Sequence, residues 1–271
     1  MTDDDIPSRP GTLSLGGPLP PPGGNRAPRV KPFRVAGFAS VRALFQTDPG
    51  RVERLFYEER LRQQVGPFAK EMATLRRPYR MVGEEELEKV AGTKLHGGVV
   101  AVAQPRPIHV FTLDQAEQWA REGDPLLLLD GVSNPNNLGA IIRTAAFFGI
   151  RRVVLSDHPA QALVSESAYR VAEGGFEHVD LYGANRFPDA VRALGPLYRT
   201  VGTALGRHKP LDGLSAAGGK PVAVILGNEE HGMQEATRAA CAEVVMIPGS
   251  GKVQSLNVSA TAAILAFLMT R

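Results

Sequence analysis

The sequence predicts an α/β protein, with a mostly parallel sheet in its C-terminal half and a smaller set of β-α units before it. Three observations point there. Leu126–Leu129, Val153–Ser156, Val222–Gly227 and Val244–Ile247 are unbroken apolar runs of strand length, the pattern of strands buried on both faces. Segments of helical spacing separate many of the strand-like runs, and this β-α rhythm is what a parallel sheet requires. Two of the runs end on polar, glycine-containing loops, Gly227–Met233 and Ile247–Ser259. The carboxyl ends of strands are where open α/β sheets bind ligands.

Composition sets the bounds. The 271 residues suffice for one large or two small domains, and 43% apolar content suits an ordinary core. A formal charge of +3 with a pI near 9.1 mildly favours a polyanionic partner. The single cysteine, Cys241, excludes an intramolecular disulfide and a multi-cysteine metal site, and core packing is its expected role. No metal is expected. The start, Met1-Thr-Asp-Asp-Asp, is acidic and lacks the apolar stretch of a signal peptide. No apolar run reaches the length of about 18 residues that a membrane span needs. A cytoplasmic protein is therefore expected.

Residues 1–31 are dense in Pro and Gly, most of all from Pro18 to Gly24. They cannot bury enough surface to offset the entropy of ordering and are expected to be disordered. Arg26, Arg29, Lys31 and Arg34 form a basic approach, readable as part of a solubilising tail or as an arm touching nucleic-acid phosphates. Residues 32–105 alternate strand and helix signals: strands at Phe33–Gly37, Val52–Tyr57, Tyr79–Val82 and Gly97–Ala103, helices at Ser40–Gln46, Glu59–Leu75 and Glu84–Val90. Such units make a small layered domain. Arg60, Arg62, Arg76, Arg77 and Arg80 cluster along the second unit, as solvated charge or as a face gripping a nucleic acid. His96, in the loop Gly92–Gly98, is read as structural or as facing that ligand.

Residues 106–124 join the parts, and Thr112-Leu-Asp-Gln115 reads as a capping box opening a short amphipathic helix. Residues 125–271 then make the second domain. Asn137–Phe148 reads as a helix whose Leu138, Ile141, Ile142, Ala145 and Phe148 share one stripe, with Arg143 well off it. Asn137 stands at the predicted helix start, where an amide can cap backbone N–H groups. Ser165–Ala172 is the next helix, leading into Glu173-Gly-Gly-Phe-Glu-His178. Strands at Val179–Tyr182 and Tyr198–Thr203 flank a helix at Phe187–Ala193, and a small-residue apolar helix runs to Leu268.

Three stretches together resemble one family. Asp130-Gly-Val-Ser-Asn-Pro-Asn-Asn-Leu-Gly-Ala-Ile-Ile-Arg-Thr144, Leu226-Gly-Asn-Glu-Glu-His-Gly-Met233 and Ile247-Pro-Gly-Ser-Gly-Lys-Val-Gln-Ser-Leu-Asn-Val-Ser259 resemble motifs one, two and three of the SpoU/TrmH RNA 2'-O-ribose methyltransferases, of the SPOUT superfamily. The match runs from about Pro125 to the C-terminus. It continues more weakly over residues 33–104, which look like the family's small substrate-binding domain, itself similar to a ribosomal protein. One departure is visible: members commonly carry Met after the Ile-Pro of motif three, where this chain has Gly249.

The resemblance implies a trefoil knot at the C-terminal end, and S-adenosylmethionine bent into the knotted loops at Gly227, Ile247 and Leu256. It implies methyl transfer to a ribose 2'-hydroxyl, with Arg143 central and Asn137, Glu229, Ser255 and Asn257 in support. The donor carries an activated methyl, so catalysis needs in-line positioning and removal of a proton from a weakly acidic alcohol. A guanidinium is normally always protonated. Two roles therefore stay open for Arg143: an unusual base, or an electrostatic clamp on phosphate and oxyanion. Glu229 would orient or neutralise it. Each residue also has a plain reading: core packing for Ile247 and Leu256, helix capping for Ser255 and Asn257, a surface carboxylate for Glu229. The resemblance further implies RNA as partner, with Arg34, Arg60, Arg76, Arg77, Arg80 and His96 as candidate contacts. It also implies a homodimer, which the apolar Ala262–Leu268 helix suits. The appended domain favours ribosomal over transfer RNA. Competing readings are a nicotinamide oxidoreductase, for which Gly249-Ser-Gly251 lacks the third glycine and the βαβ context, and a non-catalytic RNA-binding protein on the same fold.

Overall fold

In the computed structural model, residues 33–205, 209–210, 214 and 219–271 are described. The Pro/Gly-rich tail, with Arg26, Arg29 and Lys31, lies outside them. The first part is built on a four-stranded sheet. β1 (Phe33–Ala36) is followed by α1 (Phe38–Thr47), β2 (Val52–Tyr57), α2 (Arg62–Thr74), β3 (Tyr79–Met81), α3 (Glu84–Ala91) and β4 (Val99–Ala103). The strand order is β1-β4-β2-β3; β4 is antiparallel to both neighbours, and β2–β3 is parallel. The helix expected over Glu59–Leu75 is divided, with a 3-10 turn at Glu59–Leu61 before α2.

The second part holds eight strands, all parallel where paired: β5 (Ile108–Val110), β6 (Leu126–Asp130), β7 (Arg152–Ser156), β8 (Asp180–Ala184), β9 (Arg199–Thr203), β10 (Lys209–Pro210), β11 (Val222–Gly227) and β12 (Glu243–Met246). Their order is β10-β12-β9-β11-β6-β7-β8-β5. The helices are α4 (Leu113–Arg121), α5 (Pro135–Phe147), α6 (Glu166–Ala172), α7 (Phe187–Leu194), α8 (Glu235–Ala240) and α9 (Val258–Met269). β6 and β11 are central and buried throughout, which is why their sequences show no polar alternation. Alternate residues serve opposite faces. Leu127, Leu129, Val224 and Leu226 pack with α5 and α9 residues, while Leu126, Leu128, Ala223 and Ile225 pack with Trp119 of α4 and Val191 of α7. The first of these cores runs on into Val35 and Leu55 of the small sheet and Leu44 of α1.

The segment 106–124 is more than a connector. It carries β5, which pairs with β8 at the sheet edge, and α4, which starts on a complete Thr112/Gln115 capping box. β5, β10 and α8 are too short to leave a periodic signal. α5 begins two residues before Asn137, at Pro135, and Asn134 is its cap, accepting from Asn136 N–H at 2.8 Å. Proline at the first helical position explains the shift, since its missing N–H has no partner there to lose. α9 likewise begins at Val258 with Asn257 as cap; Ser255 lies outside it. Cys241 is part-buried against the second core, and burial followed by the Asp130 charge pushes its thiol up to about 12. No helix among the described residues is long and apolar enough to cross a membrane.

Candidate active site

The three motif loops converge at the carboxyl ends of β6 and β11, which are neighbours in the sheet with Asp130 opposite Gly227. The first tie is the buried Asp130 carboxylate, which accepts from Gln234 N–H at 2.9 Å. Asn228 supplies the second, donating its Nδ2 to Gly131 O at 2.8 Å while its Oδ1 accepts the Glu230 and His231 N–H groups. Loop one and loop two are thereby locked together.

Glu229 is the hub. Its Oε2 accepts from Ser133 N–H and from Ser133 Oγ, each at 3.0 Å. Its Oε1 accepts from Asn134 N–H at 3.1 Å and from Asn137 Nδ2 at 2.8 Å. Burial pushes the Glu229 carboxyl up, but the hydrogen bonds from Asn137, Ser133 and Asn134 outweigh it and hold the group below the usual carboxylate value of 4.5. The third loop joins through Asn257, whose Nδ2 donates to Asn137 Oδ1 at 3.1 Å while its own Oδ1 caps α9. Asn137 and Asn257 thus act as connectors, and Asn257 is a helix cap as well. Ser255 is exposed and makes none of these bonds.

Arg143 stands apart from this network. It lies six residues beyond Asn137 on α5, roughly 9 Å along the axis and a third of a turn round. Its guanidinium pairs with Glu173 at 2.9 Å, with both side chains about half exposed. Glu229 has both oxygens committed to loop one, and the carboxylate paired with Arg143 in this chain is that of Glu173.

Among the proposed cofactor positions, Gly227 is required by the chain itself. A Cβ there would lie 2.2 Å from Met233 N and 2.3 Å from Gly232 C, so motif two folds back across it. Ile247 is half-buried and Leu256 is 48% exposed. The loop from Pro248 to Asn257 is exposed throughout. A buried core role for Leu256 is therefore excluded, and an apolar side chain stands beside the polar network.

The basic candidates divide. Arg60, Arg76 and Arg80 are exposed, with Arg60 against Glu58 and Arg80 3.2 Å from Glu86. Arg34 is partly exposed beside Glu166. Arg77 is committed elsewhere: its Nη1 donates to the carbonyls of Gly50 at 2.6 Å and of Val52, closing the turn before β2. His96 is 4% exposed, and its Nδ1 accepts from Gly98 N–H at 3.2 Å beside Glu58. Arg77 is thus tied through Nη1, and His96 through Nδ1, into the chain's own structure. Among the described residues no group of three or more His, Cys, Asp and Glu is placed to hold a metal.

Ser133, Asn228, Asp130 and Gln234 were not singled out by sequence reasoning. The first three lie inside the quoted motifs, but pairing across about 100 positions leaves no local trace.

Fold and site together define a parallel α/β protein whose three motif loops are tied to one another at the strand carboxyl ends. The chain belongs to the SpoU rRNA methylase family, which residues 124–267 match. Residues 34–108 match the RNA 2'-O ribose methyltransferase substrate-binding family. It is 33% identical over 242 residues to the 23S rRNA (guanosine-2'-O-)-methyltransferase RlmB of Acinetobacter baylyi, covering 86% of this chain and 94% of that one. It is 35% identical over 243 residues to the uncharacterized tRNA/rRNA methyltransferase YfiF of Escherichia coli O157:H7, covering 89% and 68%. The fold matches the SpoU methyltransferase AviRb of Streptomyces viridochromogenes in complex with AdoMet, at a TM-score of 0.67 and 24% identity, covering 88% and 89%.

Proposed function

We propose that this protein transfers a methyl group from S-adenosylmethionine to a ribose 2'-hydroxyl of ribosomal RNA, with 23S rRNA as the first candidate, in the cytoplasm and as a homodimer. The observation that carries this reading is the Glu229–Asn137–Asn257 chain of hydrogen bonds, which ties the three motif loops of a SpoU-family protein together. In this reading residues 125–271 form the catalytic, knotted part, residues 32–105 grip RNA, and 106–124 join them.

The tied loops suit a nucleoside bearing a sulfonium. Gly227 lets motif two fold back closely across it, and Ile247 and Leu256 offer apolar surface for an adenine beside backbone polar groups of exposed loops. S-adenosylmethionine supplies an already activated methyl. The residues then have to orient the ribose and stabilise the oxygen as its proton leaves. Arg143, exposed and held by Glu173, suits the clamp role: its remaining donors can hold an RNA phosphate and the developing alkoxide. Arg60, Arg76, Arg80 and Arg34 supply phosphate contacts.

The homodimer reading is supported by an apolar patch. Phe147 is 82% exposed, its ring is 5.0 Å from Phe148, and Phe148 is 6.1 Å from Phe267 on α9. Exposed aromatic clusters of this kind mark interaction surfaces. Mapping 2'-O-methylation across ribosomal and transfer RNA in a deletion strain tests the function. One missing 23S mark, restored by the wild-type chain and not by Arg143→Ala, is expected. An unchanged map would reject the rRNA reading, and loss of a tRNA mark instead would move the substrate.

A further inference from the structure

Glu173 ends helix α6 with φ 46° and ψ 44°. This left-handed conformation suits glycine, the usual residue just past a helix end, and disfavours residues with a Cβ. Strained non-glycine positions persist where the surroundings over-determine them, and they concentrate at functional sites. The next two residues show what fixes this one. A Cβ on Gly174 would lie 2.7 Å from Ala43 Cβ and 3.2 Å from Ala39 O, both on α1. A Cβ on Gly175 would lie 3.0 Å from Arg143 Cα and Ile142 O on α5. The turn is wedged between a helix of the small α/β part and the helix that carries Arg143. It is pinned again at Glu177, whose buried Oε2 accepts from Arg51 and from Thr47.

From that wedged turn the Glu173 carboxylate reaches Arg143 Nη2 at 2.9 Å. An ion pair this exposed contributes little to stability. Stability therefore gives no reason for glutamate where glycine would relieve the backbone.

We propose that Glu173 is a positioning residue, holding the Arg143 guanidinium in the orientation in which it meets the RNA. The proposal rests on the role given to Arg143 above. The Glu173 carboxylate lies against Nη2 as an ion-pair partner, and the Nη1 and Nε donors are left to face phosphate and ribose. Because Gly174 packs on α1, the orientation of the guanidinium is referenced to the part of the chain proposed to grip RNA.

The test uses Glu173→Gly, Glu173→Gln and Glu173→Asp in the full chain. It reads kcat, KM for rRNA, the thermal midpoint, and the order of the Arg143 Nε–H group by nitrogen-15 NMR. Glu173→Gly and Glu173→Gln are expected to lose kcat by about tenfold or more, while KM for RNA stays within about twofold. The midpoint of Glu173→Gly should be unchanged or raised. Glu173→Asp should recover part of kcat, because aspartate keeps the charge and tolerates the left-handed region. Arg143 should be ordered in the wild type and averaged in Glu173→Gln. Wild-type kcat in the glycine or glutamine variant would overturn the proposal. So would losses that simply follow a lowered midpoint, or equal Arg143 order with and without the carboxylate. If the wild type transfers no methyl at all, the functional reading fails, and the NMR comparison still decides whether Glu173 holds Arg143.

Discussion

Glu229 and Asn137, 92 positions apart in the chain, are joined at 2.8 Å by a hydrogen bond from the asparagine amide to the carboxylate. That bond makes Glu229 an architectural residue of the loop cluster: it closes loop two onto loop one, and Asn137 passes the connection to Asn257 at 3.1 Å. Glu229→Ala leaves the N–H groups of Ser133 and Asn134 and the Asn137 amide without their acceptor. A loss of about 1–3 kcal/mol in chemical denaturation is expected, together with weakened donor binding in calorimetry.

The same carboxylate sets a pH dependence. Its folded value lies below the ordinary 4.5, so its ionised form contributes stability above about pH 4.5, and that contribution is lost as pH falls through the folded value. Unfolding free energy measured from pH 7 downward should therefore drop more steeply below about pH 4.5 in the wild type than in Glu229→Gln. Equal slopes would contradict the assignment.

Arg143→Ala removes an exposed ion pair and no core contact. Stability should change by less than about 1 kcal/mol, and methyl transfer should be lost. Denaturation and turnover measured on one preparation check both halves, and near-normal turnover would remove Arg143 from the mechanism.

Gly227→Ala places a methyl group 2.2 Å from Met233 N. Loop two must move, at a cost of about 1–3 kcal/mol. The thermal midpoint and donor affinity should fall together.

Phe147→Glu puts a charge at the exposed end of the Phe147–Phe148–Phe267 cluster, on a side chain that is already 82% exposed. The variant should stay folded by circular dichroism and sediment as a monomer, and the wild type should sediment as a dimer.

Much of this was legible in the residues. The buried runs Leu126–Leu129 and Val222–Gly227 announced central strands, and Thr112/Gln115 announced a cap, because both signals are local. The partners of Arg143 and Glu229 were not legible. A carboxylate and a guanidinium in neighbouring motifs invite pairing on paper. In the fold, Glu229 is consumed by loop one, and Glu173 reaches Arg143 from a turn that periodicity does not describe. The local partners of Arg77 and His96 were hidden for a related reason: the carbonyls of Gly50 and Val52 accept from Arg77 Nη1, and the Gly98 N–H donates to His96 Nδ1, contacts that charge and position in the sequence do not reveal.

The central claim is that the tied loops and Arg143 make one site for methyl transfer to ribose. The most direct measurement incubates the purified protein with rRNA and tritiated S-adenosylmethionine, then digests the RNA with alkali. The account predicts label in an alkali-resistant dinucleotide, since a 2'-O-methyl blocks cleavage at that position, and no label with Arg143→Ala. Label in alkali-sensitive mononucleotides, or none from a wild-type protein that binds the donor, would contradict it.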